Sequence, residues 1–508
     1  MMLIRTMMNF VPIELVQEFL DRCDFLSQIR LRCVSRGWHD RLEVRDFYDI
    51  DKKFLKLLTD KILRRYPFVR RLNAGGNFRI SNVNHMSKLE ILNAGGSPCQ
   101  IDDKGIKKNV NLLELNASNN SHITNVNHMT NLKRLIADFD CGINDKGIKH
   151  INLVKLNAGS NPKITNVNHM TNLEILNARC IERREYRWVD NFECGINDKG
   201  IKHINLVKLN AENNPKITNV NHMTNLKILN AVEKCGINDK GIKHIELEKL
   251  IARKNPKITN VNHMIKLRIL DAGYNCDIND KGIEHINLKE LNANANPKIT
   301  TINHMNRLEW LDAEFNCGID DDGIKGLNLI FLGADCNPKI INVGFMNKLE
   351  ILHASGSCGI EDFDIQNLNL SELYASGNPL ITNVNHMTKL RALCARDDCG
   401  INNKGIAKIN LEYLEADNNP EITNVNHMTN LRVLNACGYC GIGDKGIRNV
   451  NLIELNADDN KKITDINHMT KLKKLSACGK KCGIDRKGIR KLKIERVVYE
   501  ANRKLAEH

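Results

Sequence analysis

L-V-K-L-N-A-G-S-N-P-K-I-T-N-V-N-H-M-T-N, residues 153–172, ends where Leu173 begins the same pattern again. The stretch before it, 132–152, is a second version: L-K-R-L-I-A-D-F-D-C-G-I-N-D-K-G-I-K-H-I-N. The two versions alternate from about Val69 to Leu492, and their leading leucines recur at Leu206, Leu226, Leu247, Leu267 and Leu288, in steps of 20 and 21 residues. The true period is therefore a 41-residue pair. A repeat of this length marks a solenoid, in which no single unit can bury its own apolar face and stacked neighbours build one continuous core.

The slots that stay apolar say how each unit is wound. The opening L-x-x-L-x-A is a short extended segment, in which slots four and six (Leu156, Ala158) point inward and slot five points out. Ile164, Val167 and Met170 return to the same interior. Adjacent short strands then form a parallel sheet along one side, about 4.8 Å apart. The predicted fold class is α/β, a solenoid of about twenty turns, each 20–21 residues long.

This pattern resembles the leucine-rich repeat. Asn161, Asn214, Asn255, Asn296, Asn337, Asn378, Asn419 and Asn460, each at slot nine, match that family's turn asparagine. The match implies an amide that bonds backbone groups of the neighbouring turn. The C-G-I-N-D-K-G-I unit is similar to the cysteine-containing repeat subtype of F-box proteins, although its Cys stands at slot ten rather than nine. Alanine at slot six, where the family usually carries a larger aliphatic, implies a tightly drawn turn.

Composition bounds the class. Of 508 residues 42% are hydrophobic and 26% charged, and no apolar run approaches a membrane span. The N-terminal segment lacks a signal-peptide core and cleavage site, so the expected location is the cytoplasm or nucleus rather than the secretory route. The net charge of +14 comes from a lysine in nearly every loop with acidic residues interspersed, so a nucleic-acid surface is not expected. Nine of the 17 cysteines recur in the C-G-I slot, among them Cys141, Cys194, Cys235 and Cys276. Two turns put successive ones roughly 10 Å apart, too far for a disulfide to one another or a shared zinc ion. A reducing compartment fits. The N-H-M histidines (His128, His169, His222 and their counterparts) are spaced alike and read as structural. Cys437, Cys440, Cys478 and Cys482 have paired spacing that hints at zinc, but they too come from separate turns. No metal, cofactor or catalytic set is expected, because residues repeated ten times are structural by default.

Residues 10–48 lack the repeat. Leu15, Phe19, Leu20 and Cys23 form a helical stripe behind Pro12, Asp24 could cap a second helix, and Ser35 a third carrying Trp38 and Leu42. This segment resembles an F-box, through Pro12, Glu14, Leu15, Phe19, Leu20, Leu26, Leu31, Val34, Ser35, Arg36 and Trp38. It departs from that family at Phe19, usually aliphatic, and at Cys23, usually leucine. The resemblance implies that Pro12, Leu15, Phe19, Leu20, Leu26, Leu31, Val34 and Trp38 dock a Skp-type adaptor of a cullin ubiquitin ligase. Such proteins occur in eukaryotes and in large DNA viruses that infect them. The alternative is a helical cap that only shields the first repeat. Residues 51–66 are predicted as one amphipathic helix through Phe54, Leu55, Leu58 and Ile62, closing the solenoid. The expected division is 1–50 F-box-like, 51–68 capping helix, 69–492 solenoid, 493–508 closing helix or tail.

Departures from the repeat mark candidate binding sites. The unit from Leu173 carries an extra dozen residues containing Tyr186, Arg187 and Trp188, types that dominate interface hot spots. Outward strand slots between Leu308 and Leu431 include Trp310, Phe331, Tyr374 and Tyr413, with His353 and Asp312 nearby and Phe315 in the adjoining loop. In a chain only 5% aromatic, this grouping is a candidate target-docking surface. Altered outer segments accompany it at 343–346 and 362–366. The functional expectation is a non-enzymatic substrate receptor of an SCF-type ubiquitin ligase, the solenoid's inner face holding an unknown target protein. The alternative is a plain interaction scaffold.

Overall fold

The computed structural model describes residues 13–23, 25–34, 38, 41–181 and 194–500. The protein is a parallel-sheet solenoid of about 21 turns with a small helical region at its N-terminus. The chain divides into two compact units, 1–251 and 252–508.

The first unit opens with helices α1 (Ile13–Asp21) and α2 (Phe25–Arg32). Val16, Leu20, Trp38 and Leu42 form their core, with Ile13, Leu31 and Val34 packed against it. Trp38 and Arg41 are helical and the Leu42 N–H donates to the Trp38 carbonyl, which is what is described of the expected third helix. The expected caps Asp24 and Ser35 lie outside the described residues. Gln17 ties α1 to the outgoing chain: its amide donates to the Glu43 carbonyl at 3.0 Å and accepts from the Glu43 N–H at 2.8 Å.

Three-residue strands follow, from Arg71–Asn73 through Ile91–Asn93 and Glu114–Asn116 to Lys249–Ile251, each parallel to the last. The second unit repeats this from Ile269–Asp271 to Arg496–Val498. Leucine pairs with leucine across neighbouring strands from Arg71–Asn73 to Lys249–Ile251 and from Ile269–Asp271 to Lys474–Ser476, as Leu135 with Leu156 and Leu311 with Leu332, and Leu475 meets Val497 at the last strand. Leu156, Ala158, Ile164, Val167 and Met170 are all buried, and full burial of each larger side chain contributes about 1.5–3 kcal/mol.

Polar groups lock successive turns together. The Asn161 amide donates to the Ala137 and Ile143 carbonyls of the preceding turn, and its oxygen accepts from the Lys163 N–H. Asn296, Asn337, Asn378, Asn419 and Asn460 do the same in the second unit. The N-D-K-G-I segments form four-residue helical turns; Asn144 caps Asp145–Ile148 by accepting from the Lys146 and Gly147 N–H groups. The Asp145 carboxylate then accepts from the Thr165 and Asn166 N–H groups of the following turn. Gly147 is required because a Cβ there would lie 2.0 Å from the Thr124 carbonyl oxygen. The N-H-M histidines face the same side, His169 Nε2 lying 2.9 Å from the Ile148 carbonyl.

The edges differ from expectation. Residues 51–66 are not one helix but two short ones, Lys52–Leu55 and Asp60–Leu63, separated by an extended Thr59 that caps the second. The cause is that this stretch is itself a solenoid turn. Strand Asp46–Phe47 pairs with Arg71–Leu72, Asn77 donates to the Leu55 and Leu58 carbonyls, and Asp60 accepts from Ser81 and Asn82 as Asp145 does from Thr165 and Asn166. Leu63 rather than Ile62 is therefore the buried residue. At the other end the sheet runs past residue 492, because Arg496–Val498 pairs with Lys474–Ser476 where a closing helix or tail was expected. No described helix is long and apolar enough to cross a membrane.

Candidate functional site

Two surfaces carry the residues singled out in the sequence. The first is α1. Leu15 and Phe19, four residues apart and so on one helical face, are 56% and 60% exposed. Leu20 and Trp38, expected to touch an adaptor, are instead in the core at 0% and 9% exposure; they hold the helices together and cannot meet a partner unless the cluster opens. Leu31 and Val34 are partly buried against the same cluster. Pro12 lies outside the described residues, as does the side chain of Leu26.

The second surface is the free face of the sheet between Trp310 and Tyr374. Strand pairing sets Trp310 beside Phe331 and His353 beside Tyr374. The Trp310 and Phe331 rings stack at 3.8 Å and 9°, Phe331 meets His353 edge-on at 5.0 Å, and His353 meets Tyr374 at 4.3 Å. Three of the four nominated aromatics thus share one continuous row, with His353 completing it. Tyr413 is two strands further on, with its hydroxyl donating to Glu415. Phe345 and Phe363, in the altered outer segments, are exposed away from the strands. Tyr186, Arg187 and Trp188 lie outside the described residues.

Carboxylates run beside this row. Asp312, Glu314 and Asp335 gather around the imidazole, with His353 Nδ1 3.7 Å from Glu314 and 4.0 Å from Asp335. Gly333 makes the room: a Cβ there would lie 2.7 Å from Asp312 Oδ1 and 3.0 Å from Glu314 Oε1. Burial pushes the Asp312 carboxyl up to about 6, the Glu314 charge adding to it and His353 opposing. Asp335 is raised chiefly by burial, against the hydrogen bond from the Ser355 N–H. Burial by itself would lower His353, but the pull of Glu314, Asp335 and Asp312 outweighs it and the imidazole is raised. At 3.7 Å the Glu314 contact is an ion pair rather than a hydrogen bond, so that pull is coulombic. Glu314, Asp335 and His353 also offer ligand atoms within 4.8 Å of one another, a grouping the sequence reading did not nominate. Glu314 and Asp335 stand at slot seven, two residues beyond the slots searched for aromatics. That position could have been read by extending the period-two alternation one step.

The C-G-I cysteines do not pair with one another among the described residues. Cys194 instead meets Cys180 in a disulfide, their Cα atoms 5.6 Å apart, at the two ends of the inserted segment. That pairing was not expected. The signal for it was a cysteine on each side of an insertion.

Residues 11–49 match the F-box domain family. The chain thus carries an F-box domain ahead of a parallel-sheet solenoid. Among solved structures, TLR13 in complex with ssRNA13 is 16% identical, covering 85% of this chain and 71% of that one at a TM-score of 0.47. A leucine-rich-repeat protein of Leptospira interrogans is 16% identical, with coverage of 86% and 98% and a TM-score of 0.30. InlJ of Listeria monocytogenes, whose functional domain includes a cysteine ladder, is 19% identical, with coverage of 81% and 68% and a TM-score of 0.21. No curated protein matches the sequence.

Proposed function

We propose that this protein is the substrate-recognition subunit of an SCF-type ubiquitin ligase. Its F-box docks a Skp-type adaptor, and the free sheet face of its second unit holds a target protein. The chain itself supplies binding rather than chemistry, raising the effective concentration of target beside the ligase. The observation that carries the reading is the exposure of Leu15 and Phe19 on one face of α1, beside the face whose Val16 and Leu20 complete the core. Large apolar side chains held out by a packed helix suit a partner groove.

The test is binding of the full chain to a purified Skp-type adaptor. Wild type should bind, and Leu15→Asp with Phe19→Asp should weaken binding by about 2–4 kcal/mol, roughly 30- to 1,000-fold, with unchanged circular dichroism. Absence of wild-type binding, or indifference to the double substitution, rejects the ligase reading. It would leave the scaffold reading, in which the helices are a cap. One contact favours that second reading: Arg45, just before the first strand, pairs with Asp21 of α1 at 3.0 Å and joins the helices to the sheet edge.

A further inference from the structure

The aromatic row lies within a chain of net charge +14, yet its border is acidic. Elsewhere on the same face arginine answers some of the acidic residues. Arg396 reaches Glu415 and Asp417, each at 3.6 Å, and Arg253 reaches Asp271 at 3.7 Å. Asp312, Glu314 and Asp335 are answered by an imidazole, and the strands that follow place Ser355 and Ser376 where Arg396 stands later. Negative charge is therefore left over beside a stacked indole that is still 40% exposed.

We propose that this face receives an arginine-bearing peptide segment of the target, the guanidinium lying between Trp310 and the carboxylates of Asp312, Glu314 and Asp335. The spacing suits it. Ring and first carboxylate are two residues apart on one strand, roughly 7 Å, so one long cationic side chain can rest its stem on the indole and present its head to the acids. Trp is the strongest cation–π partner, and a planar guanidinium stacks on it and donates to carboxylates in a fork. Phe331, itself buried, backs the indole, and the half-buried Tyr374 three strands on extends the face for a segment running across the strands. A compact divalent ion would use Glu314, Asp335 and His353 but would leave the indole unexplained.

This deepens the proposed target surface and rests on it, while adaptor docking is independent of it. The probe is a fluorescein-labelled peptide, Ser-Arg-Ser-Arg-Ser-Arg-Ser, against its citrulline counterpart, which keeps the shape and loses the charge. Titrated into the full chain with chelator present, the arginine peptide should bind at least tenfold more tightly than the citrulline one and quench tryptophan emission. Asp312→Asn with Asp335→Asn, and separately Trp310→Ala, should each weaken it at least fivefold while adaptor capture and circular dichroism stay at wild-type level. Equal binding of the two peptides, or indifference to the Asp pair, overturns the proposal. So does zinc binding abolished by His353→Ala in a protein that ignores the peptide, which would assign the cluster to a metal. Loss of adaptor capture by Leu15→Asp with Phe19→Asp, peptide affinity unchanged, separates the two surfaces.

Discussion

The side-chain amide of Asn161 donates to the carbonyl of Ala137 at 2.6 Å, across 24 residues of sequence and one turn of the solenoid. It also reaches the Ile143 carbonyl at 3.3 Å, and it is fully buried. Alanine would leave two carbonyls and the Lys163 N–H without this partner in a dry interior. Each such group costs about 1–3 kcal/mol, partly recovered if water enters. Asn161→Ala should therefore destabilise by roughly 3 kcal/mol in urea unfolding. Because contacts run only between neighbouring turns, amide-exchange protection should fall around residues 137–163 and stay intact in the second unit. Asn161→Asp should be no better, since it aims an anion at two carbonyl oxygens.

Gly147 is a steric counterpart. The Thr124 carbonyl oxygen occupies the space a Cβ would need, at 2.0 Å, and it belongs to backbone that cannot swing aside. Gly147→Ala should push two turns apart and cost about 1–3 kcal/mol or more, although Ala is ordinarily the better helix former. A melting temperature unchanged by the substitution would show that the turns slide freely.

How much of this was readable from residues follows from the same two positions. Asn161 and Gly147 recur, so their role is visible as periodicity, and so were the strand slots and the buried leucines. Residues 51–66 were misread because T-D-K-I-L at 59–63 differs from N-D-K-G-I at three places, and a 3.6-residue stripe through Phe54 and Ile62 looked better than a worn repeat. Leu20 and Trp38 were grouped with Leu15 and Phe19 because a family motif records which residues are apolar, not which side of the helix core each one covers. Asp312 and His353 were noted beside the aromatics, but Glu314 and Asp335 escaped because their grouping with His353 exists only through registry: the members lie on three turns, and Gly333 matters through the side chain it lacks.

Thiol chemistry should sort the cysteines by environment. Burial pushes Cys141 up to about 12 and Cys317 and Cys440 up to about 11, and all three are inaccessible. At pH 8 a thiol with a pKa near 11 is about one part in a thousand thiolate, the species that reacts. Iodoacetamide on the native chain should therefore label exposed Cys33 first and leave Cys141, Cys317 and Cys440 unmodified until the chain unfolds. Cys180 and Cys194 should resist labelling even when unfolded unless a reductant is added, as a joined pair requires. Mass mapping of alkylated peptides reads all six.

Asp312 makes stability depend on pH in a definite direction. Its carboxyl titrates near 3.8 when unfolded and at about 6 in the fold, raised by burial and by Glu314. Between those values the folded chain holds the proton that the unfolded chain has lost, so stability falls as pH rises through that window and the deficit is constant above it. Asp312→Asn removes the charge and can still accept the Asn292 amide, 3.2 Å away. It should stabilise by on the order of 1–2 kcal/mol above pH 7, after discounting for solvent screening, and by nothing below pH 4. His353 runs the other way. Its raised pKa contributes stability that is full below the unfolded value of 6.5 and is lost as pH rises through the folded one. Since Asp312 is one of the charges holding that imidazole protonated, the His353 ring resonances of Asp312→Asn should titrate at lower pH than in wild type. Urea unfolding of both proteins at pH 4, 6 and 8, with one NMR titration, reads the two effects separately; equal stability differences at pH 4 and pH 8 would show that Asp312 is not held in a charge-averse setting.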